Sequence, residues 1–283
     1  HFYGGPEAHK KVEEHTLGFY HALIEARIPF EMVHDRLFDE EHLQQFKTLI
    51  LPNIAALSDQ QCEQLRSFVQ RGGSLIATYE TSLYNEWGQK RENFGLADLL
   101  GVDYVQHTPG PMQNSYLRLE KDEKTGAMHP LIQGIENTQR IINGVYRLEV
   151  KANTEFPEVP LTLIPTYPDL PMEEVYPRVA QTDIPEVYLR EVGQGRVVYF
   201  PWDIDRIFWE ILCVDHGKIL SNAVVWASNE PSPVTVSGQG VLDVTIWRQA
   251  NSMTVHMVNL TNPMMMKGPI REFIPLGAQE VRV

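Results

Sequence analysis

Cysteine is nearly absent from this chain: only Cys62 and Cys213 occur in 283 residues. Two thiols cannot build the disulfide framework of a small secreted scaffold. No Cys-x-x-Cys, no His-Glu-x-x-His and no spaced His/Cys cluster is present, so no metal site is expected. Both cysteines fall on apolar faces of predicted helices, where a free thiol behaves as a small buried hydrophobe. Positive charge is scarce as well. The 24 Lys and Arg stand against 37 Asp and Glu, a net charge of −13. That is the wrong sign for neutralising phosphates, and no nucleic-acid partner is expected. No run approaches the roughly 18 consecutive apolar residues of a transmembrane helix. Without a span or a signal peptide the sequence predicts no membrane association and a cytoplasmic location. "GQGR" at 193–196 joins two predicted strands and precedes no helix, as a phosphate loop must. No cofactor is expected.

What remains is an ordinary globular composition, 43% hydrophobic and 22% charged, and enough chain for one large or two modest domains. The opening "HFYGGPEAHKKVEEH" reads as a strand-to-helix loop and predicts a further strand upstream of His1. Residues 7–27 carry Val12, Thr16, Phe19, Tyr20, Leu23 and Ile24 at helical spacing. "IPFEMVH" predicts a strand at 28–34, "DEEHLQQF" a brief helix with acids in its first turn, and "KTLILPN" a strand buried on both faces. Ser58 and Gln61 form a capping box. Behind it, Cys62, Leu65, Phe68 and Val69 make an apolar stripe that ends at Gly72–Gly73, and "SLIATY" is the next strand. Strands alternating with helices predict a doubly wound, mostly parallel α/β sheet of flavodoxin-like type. From about 104 to 190 prolines recur and the pattern loosens, with strands at 146–150 and 161–167. A hairpin turning at Gly193 and Gly195 returns the chain to the sheet, and a helix at 215–228 turns Ile219, Leu220, Ala223, Val224 and Ala227 inward. After the linker "NEPSP" only strands follow: "VTVSG", "VLDVTIWRQ", "MTVHMVNL", "REFIPL" and "EVRV". The expected organisation is an α/β domain over 1–230 and a small all-β sandwich module over 231–283.

The ordered blocks "FKTLILPNIAALSDQQCEQLRSFVQRGGSLIATYETSLYNE", "LADLLGVDY", "GRVVYFPWDIDRIFW" and "HGKILSNAVVWA" resemble the class I glutamine-amidotransferase-like domain. More narrowly, they resemble the trimerisation domain of family 42 β-galactosidases and related glycoside hydrolases. "VLDVTIWRQANSMTVHMVNLTNP" is similar to the β-sandwich that follows in those proteins. The resemblance implies a non-catalytic oligomerisation and support region. Its partners would be an upstream TIM barrel of the same polypeptide, which carries the catalytic carboxylates, and further copies of the chain, as in a trimer.

True amidotransferases place a cysteine at the sharp turn after the second strand. Here that turn falls on Tyr79 or Glu80, so thiolate chemistry is excluded there. Glu80 is the one candidate for acid or base chemistry. Asn53, Tyr79, Thr81 and Ser82 join it as binding candidates at the sheet edge, with Trp202, Asp203, Asp205 and Arg206 from "PWDIDRIFWE". Two further readings stay open. One is a hydrolase-like enzyme working around Glu80, Asp203 and Asp205. The other is a carbohydrate-binding module using Trp202, Trp209 or Trp247 as a stacking platform. The bland alternative makes Asp203 a turn cap, pairs Asp205 with Arg206 and buries the tryptophans. Three consecutive methionines at 264–266 suggest filling of a seam between domains or subunits.

Overall fold

The computed structural model describes residues 3–122, 124–262, 268–269 and 271–283. The methionine run at 264–266 lies outside them. Along the chain the elements are α1 (Glu14–Glu25), α2 (Glu40–Leu43), β1 (Thr48–Leu51), α3 (Asp59–Gln70), β2 (Ser74–Thr78), α4 (Ala97–Leu100) and β3 (Val102–His107). Then come β4 (Tyr116–Leu119), β5 (Arg140–Ile142), β6 (Leu148–Ala152), β7 (Leu161–Ile164), β8 (Tyr188–Val192) and β9 (Gly195–Phe200). The last are α5 (Ile204–Ile211), α6 (Val214–Ser228), β10 (Thr235–Ser237), β11 (Leu242–Arg248), β12 (Met253–Asn259) and β13 (Glu280–Arg282).

α3 forms where the sequence places its signals. Ser58 accepts from the Gln61 backbone at 3.1 Å, and the Gln61 side chain accepts from the Ser58 N–H at 2.9 Å. Cys62, Leu65, Phe68 and Val69 are all buried. The three larger side chains contribute roughly 1.5–3 kcal/mol each before chain entropy is counted. The helix stops at Gly72, whose φ of +97° a side-chain-bearing residue resists.

The central sheet runs in the order β1-β2-β9-β8, with β1, β2 and β9 parallel and β8 antiparallel to β9. The two-residue period sends Leu75, Ala77, Val197 and Tyr199 to the face covered by α3. Ile76, Val198 and Phe200 face α1, α5 and α6 instead. Helices on both faces make the sheet doubly wound, as predicted. The five inward residues read from the sequence for α6 are buried, and His216 and Ser221 are buried with them.

Several expectations are corrected. Residues 28–34 make no strand: the segment has no regular secondary structure, and it packs through Ile28, Phe30 and Val33 without a backbone ladder. β1 is an edge strand in which Thr48 and Ile50 are only half-buried. The first helix enters through a 3₁₀ turn and a π turn, Gly5–Glu7 and His9–Glu13, before α1 begins, and Val12 is exposed. Cys213 precedes α6 at its N-cap, half-buried; Cys62 is buried, and burial pushes its thiol pKa up.

The excursion between α4 and β8 builds two antiparallel sheets, β3-β6 and β5-β4-β7. A buried ion pair ties it to the main sheet. Arg147 Nε donates to Glu186 Oε1 at 2.5 Å, and Glu186 Oε2 has no partner among the described residues. Burial pushes the Glu186 carboxyl up to about 7, only partly offset by Arg147.

Beyond residue 231 lie two ribbons, β10-β13 and β11-β12, both antiparallel. "REFIPL" at 271–276 forms no strand: Pro275 has no N–H to donate, and Phe273 is 90% exposed. The ribbons are clamped to α1 by Arg27, just past the helix end at φ +56°. Its guanidinium donates to the carbonyls of Gly238 and Gly240, both at 2.8 Å, to Val236 O at 3.3 Å and to Gln279 Oε1 at 3.2 Å. No helix among the described residues is long and apolar enough to cross a membrane.

Candidate functional site

In an open α/β sheet, ligands favour the carboxyl ends of the parallel strands. Here Asn53, Tyr79 and Asp203 lie just beyond the ends of β1, β2 and β9. Three residues without glycine's freedom sit at positive φ on this edge: Asn53 at +47°, Tyr79 at +48° and Ser82 at +66°. Each such conformation costs on the order of 1–3 kcal/mol and persists only where its surroundings over-determine it. Around Tyr79 they do. Its N–H donates to Phe200 O, its carbonyl accepts from Tyr199 Oη, and the next N–H, of Glu80, donates to Asn53 Oδ1. Tyr79, not Glu80, therefore occupies the strained turn.

Two histidine–carboxylate pairs flank that tyrosine. On one side His107 Nε2 lies 2.7 Å from Glu80 Oε1. Tyr104 Oη reaches His107 Nδ1 at 2.9 Å and receives Lys90 Nζ at 2.6 Å. Lys90 Nζ donates a hydrogen bond to Tyr104 Oη, which leaves the phenol hydrogen free to point at His107 Nδ1 while the other ring nitrogen faces Glu80. Tyr104 and His107 are three residues apart on β3 and would face opposite sides of a regular strand. A bulge between Tyr104 and Gln106 inserts one extra residue and brings both to one side. Glu80 also accepts from Tyr84 and from Tyr3. Burial pushes its carboxyl up, but the hydrogen bonds from His107 and Tyr3 outweigh burial and hold it below the usual range.

On the other side His15 Nδ1 meets Asp205 Oδ1 at 2.7 Å. Asp205 accepts everything around it: Thr78 Oγ1 donates to Oδ2 at 2.7 Å and the Arg206 N–H donates to Oδ1. Thr78 Oγ1 already receives the Asn53 N–H, which commits its own proton to Asp205. His15 must then donate from Nδ1, and its Nε2 makes no hydrogen bond to the described residues. Neither does Tyr79 Oη. The Tyr79 ring stacks over His15 at 6.1 Å and meets His107 edge-on at 6.2 Å, with Tyr146 at 6.4 Å. Burial and the nearby Glu80 push the Tyr79 phenol well above its ordinary pKa, so it stays protonated as a donor.

The remaining candidates fall elsewhere than expected. Asp205 does not pair with the Arg206 guanidinium. Arg206 Nε bonds Asp203 Oδ2 at 2.6 Å, one helical turn back, where an i,i+3 partner lies in reach and an adjacent residue does not. Asp203 puts no side-chain cap on α5; its Oδ1 accepts the Tyr146 N–H instead. Burial raises the Asp203 carboxyl in spite of Arg206. Trp202 is fully buried with its Nε1–H on Glu186 O, which removes it as a stacking platform. Trp209 is half-buried against the His21 ring at 4.7 Å. Trp247 is 60% exposed on β11. Thr81 Oγ1 donates to backbone carbonyls and Ser82 Oγ accepts the Leu96 N–H, both fully buried. His15, His107 and Tyr146 were not singled out from the sequence. The one available signal was His15 four residues before Phe19, on the core-facing side of the first helix.

No three His, Cys, Asp or Glu side chains among the described residues converge as metal ligands. Two surface depressions, of about 470 and 520 Å³, lie away from this edge, around Phe156 and Trp226.

Similar folds occur in glycoside hydrolases. An α-L-fucosidase, isoenzyme 2 from Paenibacillus thiaminolyticus, superposes with a TM-score of 0.69 at 19% identity, covering 95% of this chain and 38% of that one. A β-galactosidase from Bacillus circulans sp. alkalophilus gives 0.63 at 16% identity over 88% of this chain and 31% of the other. A catalytic mutant of Gan42B, a GH42 β-galactosidase from G. stearothermophilus, gives 0.60 at 17% over 90% and 32%. The chain thus spans about a third of the length of these three structures. No curated protein matches its sequence. The fold is the class I amidotransferase-like one that the sequence blocks resemble. Residues 2–210 match the family described as trehalose utilisation, and the chain belongs to that family, ThuA.

Proposed function

We propose that this chain is a non-catalytic support and oligomerisation region of a β-galactosidase-like glycoside hydrolase. The catalytic carboxylates would lie in a TIM barrel upstream in the same polypeptide. One observation carries the reading: in three glycoside hydrolases a region of similar fold, about a third of each, covers 88–95% of this chain. The strained turn, where an amidotransferase needs a thiolate, holds a phenol that stays protonated. Apolar side chains are also left uncovered between β7 and β8, where Leu170 and Met172 are 72% and 78% exposed beside the exposed Tyr176. Such a surface suits burial against another copy or another domain. Size-exclusion chromatography with light scattering tests this: an oligomer, a trimer in the reading closest to the resemblance, is expected. A strict monomer at all concentrations contradicts it.

A second reading is an enzyme working at the strand ends, favoured by the pairs His107–Glu80 and His15–Asp205. Nitrophenyl β-D-galactoside and α-L-fucoside, offered to the isolated chain, decide between the two. Turnover abolished by Glu80→Gln supports the second reading; no turnover supports the first.

A further inference from the structure

Trp87 stands 70% exposed at the tip of a tight turn between β2 and α4. The turn gives it a fixed base. Asn85 Oδ1 accepts from the Trp87 and Gln89 N–H groups at 3.0 and 2.9 Å. The Gly88 N–H returns to Asn85 O at 2.9 Å, and Gly88 takes the φ of +72° that suits a residue without a side chain. The Asn85 N–H and its side-chain amide close the base on Gln89 O and Oε1, both at 3.0 Å. An indole held this way loses little further freedom when a partner covers it, and tryptophan is among the residues that anchor protein interfaces.

The same chain carries a hole of matching character. The depression of about 470 Å³ is walled by Val150, Phe156, Val159, Ile184, Pro185 and Tyr188, with Lys151 and Asp183 beside them. A volume of that order takes compact apolar groups. Trp87 is not among its walls and stays exposed, so the indole does not fill the hole of its own chain. The Trp87 turn instead reaches β3, where Lys90 Nζ donates to Tyr104 Oη at 2.6 Å, whereas Val150 and Lys151 belong to β6. Charge is complementary as well. Glu86 and Lys90 flank the indole, and the hole offers Lys151 and Asp183, so docking can set each charge against its opposite and fix the approach. The segment between β7 and β8 that supplies Asp183, Ile184 and Pro185 also carries the uncovered Leu170, Met172 and Tyr176, apolar surface continuous in the chain with the hole. A second copy brings knob and hole together with no further partner.

We propose that copies of this chain dock head to tail, the Trp87 indole of one entering the hole around Phe156, Ile184 and Tyr188 of the next. The proposal rests on the oligomerisation reading above and gives it a contact. Knob and hole are different surfaces, so the contact is heterologous. Such a contact propagates round a ring and closes where the rotation returns to its start, at three copies in the trimer that the resemblance implies.

Light scattering on the intact chain and on two surface variants tests the proposal. Trp87→Ala removes the knob, and Ile184→Arg, at a residue 42% exposed, blocks the hole. Each should keep the parent's thermal midpoint and associate at least about 30-fold more weakly, the scale of losing one interface anchor. Mixed together, the two variants own one intact knob and one intact hole between them, and should form a one-to-one pair that grows no further. Trp247→Ala, at the exposed tryptophan of β11, should assemble as the parent does. The proposal is overturned, with the oligomerisation reading intact, if the parent is an oligomer and either Trp87→Ala or Ile184→Arg assembles as it does, or if the mixture stays monomeric. Loss of assembly in Trp247→Ala with retention in Trp87→Ala moves the contact to β11 and overturns it equally. A parent that is monomeric at all concentrations overturns the proposal and the oligomerisation reading together.

Discussion

Glu186 shows what one buried carboxyl can do to the pH response of the whole fold. In the unfolded chain it titrates near 4.5, and in the folded protein at about 7. Between these values the folded state holds a proton that the unfolded state has released, so this group's contribution to stability is greatest below pH 4.5 and falls as pH rises towards 7. The descent amounts to on the order of 3 kcal/mol. Glu186→Gln should flatten it, read as urea midpoints across that range; an unchanged slope would assign the titration elsewhere. At this scale the sequence is informative only where partners are neighbours. Ser58 and Gln61 are three apart, and their capping box is as predicted. The strained turn was ambiguous between Tyr79 and Glu80, because the letters carry no backbone angle. The His15–Asp205 pair spans 190 positions and no local pattern announces it. Asp203, Asp205 and Arg206 were all visible as charges. Their partners were not, because helical geometry favours the residue three positions away over the adjacent one.

Elements were easier to read than contacts when they carried their own punctuation. α3 has a cap, a stripe and a glycine stop, and α6 has five buried apolar residues at helical spacing. The stretch 28–34 looks like a strand by composition, but a strand also needs a ladder partner, which only the assembled sheet can offer. The bulge in β3 was equally invisible: a proline-rich excursion gives no period from which an extra residue could be noticed. One close approach between elements is measurable. Gly18 on α1 faces the backbone of α5, where a Cβ would lie 1.9 Å from the Asp205 carbonyl oxygen. Gly18→Ala must therefore push the helices apart and draw His15 away from Asp205. A loss of about 1–3 kcal/mol is expected, the usual range for overpacking. Thermal or urea unfolding checks it, and a neutral result would show that the two helices pack less tightly than this geometry requires.

At the scale of the whole molecule, the α/β body and the terminal ribbons meet through few polar contacts, and Arg27 makes four of them from one side chain. A two-stranded ribbon is marginal alone, so the ribbons depend on this attachment. Arg27→Ala should raise hydrogen exchange in β10 and β13 while β2 and β9 keep their protection. Uniform loss of protection would mean that body and ribbons unfold as one unit. The same arginine stands just beyond one end of α1, and His15 lies in the first turn at the other. The twelve residues of the helix span about 18 Å. A helix resists compression along its axis far better than bending. Any load on the ribbons, such as docking of a neighbouring copy, reaches the His15–Asp205 pair through a stiff strut rather than a chain of loops. The ribbons and the strand-end edge are thereby mechanically in series.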